Sequence, residues 1–166
     1  RVAAAHLHPT IEERFLVLNG QVGFLIGEEE RVLDPGEGAR VPAGTVHDWW
    51  QVGDEEAEVI VEVSPGLRFI EMVGSMFGLA RAGKVNAEGM PDPLQLAVMG
   101  NEYRDTIAFT KPPPVVQRLT LPPLALLGRL AGKKPMYDEY LETGVTADPD
   151  PRVLAELTPG GRLREF

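Results

Sequence analysis

The chain has 166 residues, 43% hydrophobic and 25% charged, the profile of a folded domain with a core of ordinary size. A net charge of −9 argues against a nucleic-acid partner, because no basic stripe is available to neutralise phosphates. No apolar run reaches the about 18 residues of a membrane span, so no membrane partner is expected, and no signal-peptide pattern opens the sequence.

The opening residues lie in an extended segment that carries His6 and His8. The sequence starts at Arg1 without a methionine, close ahead of this pair; since a sheet strand needs a neighbour, an upstream segment is expected. Arg14–Leu18 reads as a strand that runs into Asn19-Gly20, a hairpin dipeptide, and Gln21–Ile26 reads as its return. Gly27-Glu28-Glu29-Glu30 is the next turn, Arg31–Leu33 a short strand, and Asp34-Pro35-Gly36-Glu37-Gly38 a break. After the turn at Pro42-Ala43-Gly44, strands are expected at Val46–Val52 and Ala57–Val63. Short strands at this spacing indicate a sandwich or barrel over residues 1–65.

From Ser64-Pro65-Gly66 the pattern turns helical, and residues 66–166 read as a helical extension packing on or near the β region. Phe69, Val73, Met76 and Phe77 recur at helical spacing and predict an amphipathic helix over about 67–80. A second helix is expected near Leu94–Phe109, ended by Lys111-Pro112-Pro113-Pro114. A third follows Pro122-Pro123 around Leu124–Ala131, and a short one is expected at Arg152–Leu157. Tyr103-Arg104-Asp105 and Met136–Tyr140 read as a lid over the barrel mouth, solvated helix faces or a dimer contact.

The chemistry concentrates in the chain's three histidines, His6, His8 and His47. His6 and His8, two apart on extended backbone, leave the same face. Glu13 has the wrong parity for that face on an unbroken strand, but Pro9-Thr10 should bend the segment and return it to the same interior, with Glu12 pointing elsewhere. His47 follows the Pro42–Val46 turn at the start of a strand. With no cysteine in the chain, a metal must use imidazole and oxygen ligands; three imidazoles and a carboxylate suit one divalent Fe, Mn, Ni, Cu or Zn ion. They leave coordination positions open for a small-molecule ligand. By the same parity Phe15, Val17, Trp49 and Gln51 should line the cavity, giving it an apolar wall with one amide. Asp48 should face away.

These residues resemble the two motifs of the cupin superfamily. His6-x-His8, four residues, Glu13, six residues and Gly20 resemble the first. Gly36, Pro42, Gly44 and His47 resemble the second, with Gln51 where asparagine is usual. The leading glycine of the first motif would fall before Arg1. The resemblance covers roughly residues 1–65 and selects Glu13 over Glu12. It implies a mainly β fold, a jelly-roll (double-stranded β-helix) barrel followed by the α-helical C-terminal region, with His6, His8, Glu13 and His47 as metal ligands. The function it implies is a small-molecule oxidoreductase of dioxygenase type, in which Glu13 can double as a base. The alternatives are a non-catalytic or sensing metal-binding cupin, and a cupin isomerase or epimerase. The same resemblance implies a homodimer, and the absence of cysteine fits a cytoplasmic location.

Overall fold

The computed structural model describes residues 5–87, 89–141, 148 and 150–166. The chain divides into two compact units, one of Arg1–Pro65 with Ala147–Phe166 and one of Gly66–Thr146. The first unit is built from β1 (His6–Leu7), β2 (Glu12–Asn19), β3 (Gln21–Ile26), β4 (Glu29–Leu33), β5 (Gly38–Val41), β6 (His47–Val52) and β7 (Glu58–Ser64). β5 occupies a stretch that the sequence pattern leaves as a connection between turns, because four residues are too few for an alternation to register.

Two antiparallel sheets result, one in the order β4-β3-β6-β1 and one in the order β5-β2-β7. Alternation along β2 sends Phe15 and Val17 inward, where they meet Val22 and Phe24 of β3, Leu33 of β4, and Ala39 and Val41 of β5 in one buried core. Phe15 stacks edge-on against Phe24 with ring centroids 5.0 Å apart.

Asn19-Gly20 does not make the hairpin its sequence suggests. β2 pairs with β5 and β7 while β3 pairs with β4 and β6, so the turn carries the chain from one sheet to the other. Gly20 sits at φ 67°, and a Cβ there would lie 2.7 Å from the Glu56 carbonyl oxygen. The Asn19 amide donates to that same carbonyl at 3.0 Å, which anchors the corner.

The C-terminal segment, in its described residues 148 and 150–166, groups by contacts with the β unit, where the sequence pattern places it in the helical extension. Its ordered part includes the short helix α5 (Pro151–Ala155) and a bridge between Leu157 and Leu163. The Arg14 guanidinium donates to the carbonyls of Leu163 and Arg164 at 2.7 and 2.9 Å, and the Leu163 amide donates to the Glu62 carboxylate at 2.8 Å. This strap covers the outer face of β2, and Leu16, which points outward, is buried.

The second unit holds α1 (Phe69–Arg81), α2 (Pro93–Glu102), α3 (Pro114–Leu130) and α4 (Asp138–Leu141). Asp92 caps α2 by accepting from the Leu94 and Gln95 amides, with Pro93 at the first helical position. α2 ends at Glu102, with Tyr103 as its C-cap, short of the expected Phe109. Met72, Leu79, Met99, Tyr103 and Tyr137 form the core, with Phe69, Val73 and Met76 packed against it and Phe77 exposed. The tyrosines read as lid, surface or dimer-contact groups are thus core: Tyr103 is fully buried, and Tyr137 donates its hydroxyl to the Gln95 side chain at 2.7 Å. α3 starts ten residues earlier than expected and runs through Pro122 and Pro123. The carbonyls those prolines leave without a donor belong to Arg118 and Leu119, both exposed, where water can serve them.

Candidate metal centre

The four predicted ligands arrive from three places in the first unit. β1 pairs with β6 so that His6 lies directly opposite His47. Past β1 the chain bends at Pro9-Thr10, and the His8 carbonyl accepts from the Gly44 amide at 2.8 Å, tying the second motif's turn to the first motif's bend. β2 then restarts the alternation: Glu13 faces inward and Glu12 outward, where the Arg40 guanidinium donates to it at 2.7 Å.

His6, His8, Glu13 and His47 are 7%, 2%, 4% and 1% exposed, and each offers a ligand atom within 4.8 Å of the others. The His47 Nε2 and His8 Nε2 atoms lie 2.8 and 3.4 Å from Glu13 Oε2. A divalent ion at about 2.1 Å from each ligand places neighbouring ligand atoms about 3.0 Å apart at right angles and about 3.4 Å apart at the tetrahedral angle. The two spacings to Glu13 fall near those edges.

The protonation pattern points the same way. His47 Nδ1 lies 3.0 Å from the Thr45 carbonyl oxygen, which can only accept, so this nitrogen carries a proton. A neutral ring then turns the Nε2 lone pair towards Glu13. His47 Nε2 and Glu13 Oε2 are both buried and neither receives a hydrogen bond. Two acceptor atoms at 2.8 Å in a buried site need a cation against both of them. When that cation is a proton on the imidazole, burial pushes the Glu13 carboxyl up but hydrogen bonds and charge from His47 and His8 outweigh it, and the net effect lowers its pKa to about 2. Glu13 is therefore a carboxylate throughout the neutral range, as a metal ligand must be.

Apart from the His6–His47 pair, the cross-strand partners of Glu13 and His47 are aliphatic. Glu13 is flanked by Val41 on β5 and Val63 on β7, and His47 by Ile26 on β3. Of the four residues expected to line a cavity, Phe15 and Val17 are buried in the sheet core and Trp49 is half-buried against it, its ring centroid 6.1 Å from that of Phe15. Gln51 is exposed and donates its amide to the Glu55 carbonyl, so the structure does not bring it to the ligand cluster. Asp48 is buried, with a carboxylate oxygen accepting from the Trp49 amide at 2.9 Å.

Residues 1–63 match the family model for the cupin domain. The match supports placing this segment in the cupin superfamily. Among solved structures, the protein TT1209 from Thermus thermophilus is 30% identical, over 37% of this chain and 56% of its own, with a TM-score of 0.32. A sugar phosphate isomerase from a cupin superfamily, from Silicibacter pomeroyi, is 27% identical over 37% and 40%, with a TM-score of 0.34. A cupin-2 domain containing protein from Shewanella frigidimarina is 24% identical over 38% and 59%, with a TM-score of 0.33. The chain thus spans between 40% and 59% of the length of these three structures. No curated protein matches.

Proposed function

We propose that the cupin segment is a metal-dependent small-molecule oxidoreductase of dioxygenase type. His6, His8, Glu13 and His47 would hold one divalent transition metal. The observation that carries the metal part is the buried pair of facing acceptors, Glu13 Oε2 and His47 Nε2. When bound, the metal supplies Lewis acidity towards an enolate, phenolate or carboxylate and an electron path between that ligand and dioxygen.

The chain's own residues supply the rest. Thr45 fixes the His47 tautomer through its carbonyl, which keeps Nε2 available as a ligand. Val41, Val63 and Ile26 give the ligands an apolar surround, which would help to keep water from them as a reaction with dioxygen requires. Glu13 is the one carboxylate in the cluster and would be the group to receive a substrate proton. An isomerase or epimerase, which must take a proton from one sugar carbon and return it to a neighbouring carbon or to the same one, would be served better by polar groups around the cluster than by these aliphatic neighbours.

The test is oxygen uptake by protein reconstituted with Fe(II), Mn(II), Ni(II) or Cu(II), against a panel of enols, catechols and flavonols. Metal-dependent uptake that Glu13→Gln lowers by at least tenfold supports the reading. Stoichiometric metal binding without uptake on any substrate refutes the dioxygenase part and leaves a metal-binding or sensing cupin.

A further inference from the structure

The second unit carries a helix whose apolar side has no partner among the described residues. Along α3, Val115, Leu119, Leu126, Leu127 and Leu130 are 54–77% exposed, while only Ala125 and Gly128 are buried. Positions 115, 119, 126 and 130 fall within about 60° of one another around a helix of 3.6 residues per turn, so they form one stripe. The buried side is committed to α2: a Cβ on Gly128 would meet the Leu94 carbonyl oxygen at 2.8 Å.

Charge is distributed against the trend of the chain. The protein as a whole is at −9, yet residues 106–137 contain no aspartate or glutamate and carry Lys111, Arg118, Arg129, Lys133 and Lys134. Arg129 is paired with Glu102 and Lys133 with Asp92. Lys111, Arg118 and Lys134 are exposed and have no acidic partner among the described residues. An apolar stripe on a helix that carries Arg118 and is flanked in sequence by Lys111 and Lys134, all three without an acidic partner among the described residues, fits an anionic, apolar-cored surface. It does not fit a second copy of the same face, which would set like charges against each other.

We propose that α3 docks on the surface of anionic lipid bilayers, lying in the headgroup region with its Val/Leu stripe facing the acyl chains. Its 17 residues extend about 25 Å, less than the roughly 30 Å hydrocarbon core, and no described helix is long and apolar enough to cross. Lying along the interface requires only the stripe and the flanking cations. The sequence-based expectation of no membrane partner rests on the absence of a span, which an interfacial helix does not need.

The test is co-sedimentation of the full chain with vesicles of mixed phosphatidylglycerol and phosphatidylcholine, alongside pure phosphatidylcholine vesicles. The expected result is binding to the mixed vesicles, weakened by salt, with little binding to the neutral ones. The surface variant Lys111→Gln/Arg118→Gln/Lys134→Gln should keep its circular dichroism spectrum and lower the partition coefficient about 100-fold, each cation contributing roughly fivefold. Leu119→Asp/Leu130→Asp should abolish binding. The proposal is overturned if the wild type stays in the supernatant, if neutral vesicles bind it equally, or if the charge variant binds unchanged. It is also overturned if the chain is a dimer by sedimentation equilibrium that Leu119→Asp/Leu130→Asp dissociates, with no vesicle binding, since a second copy would then cover the stripe.

Discussion

Glu13→Gln isolates the contribution of one ligand with almost no change in shape. The carboxylate is the only anion in the cluster, 4% exposed and flanked by Val41 and Val63, so nothing nearby can replace its charge. Closed four-ligand sites bind divalent zinc with apparent free energies of about 10–16 kcal/mol, or roughly 3 kcal/mol per ligand, and losing one weakens binding about 100-fold. At a free metal concentration of about 100 times the wild-type Kd, binding stabilises the folded wild type by about 2.7 kcal/mol. The same concentration is only about one Kd for the variant, which gains roughly 0.4 kcal/mol. For a unit the size of Arg1–Pro65 with Ala147–Phe166, each kcal/mol moves the melting temperature by roughly 4–8 °C. Thermal melting with and without Mn(II) or Ni(II) should therefore show a rise of about 10–20 °C for the wild type and about 2–3 °C for Glu13→Gln. A variant that keeps the full rise would refute the assignment of Glu13 as a ligand.

Other consequences can be measured on the same material. In metal-free protein the Glu13 carboxyl is lowered from 4.5 to about 2, so its stabilisation is complete above pH 4.5 and is lost as the pH falls towards 2. Urea melts should accordingly show the stability difference between wild type and Glu13→Gln shrinking across that window; a difference that grows on acidification would contradict the ion-pair geometry. Metal binding should release protons from the imidazoles, so calorimetric enthalpies should vary with the ionisation enthalpy of the buffer, and a buffer-independent enthalpy would argue against it. Phe15→Ala should cost about 3–5 kcal/mol in chemical unfolding, because the ring is buried between the two sheets. Gly20→Ala should cost more than about 1 kcal/mol, since the new methyl group meets the Glu56 carbonyl oxygen at a positive-φ corner.

The His/Glu cluster is legible in the sequence in two ways. The His6/His8 parity and the proline bend before Glu13 follow from a few neighbouring residues, whereas the choice of Glu13 and the convergence with the distant His47 come from the resemblance to the two cupin motifs. What stayed hidden depends on partners distant in sequence. Asn19-Gly20 has the chemistry of a hairpin, but strand pairing is set by β5, β6 and β7, and those partners send the two adjoining strands into different sheets. The returning C-terminal strap had left a signal in Phe15-Leu16-Val17-Leu18, which is apolar on both faces and so implies cover on both. α3 was cut short because prolines in a helix are costly in general, whereas here the affected carbonyls face outward. The cavity expected beside the ligands rested on parity alone, and parity says which face a residue takes, not whether space remains there. Phe15 and Val17 take the inward face and pack into the core between the sheets.

The central claim is that one divalent ion sits among His6, His8, Glu13 and His47. Elemental analysis of protein purified without a histidine tag, before and after incubation with excess metal and gel filtration, tests it most directly. One divalent transition-metal ion per chain, falling to background in His6→Ala/His47→Ala with the fold intact, is the predicted result. A chain that retains no ion after incubation, or a double variant that retains as much as the wild type, would contradict it.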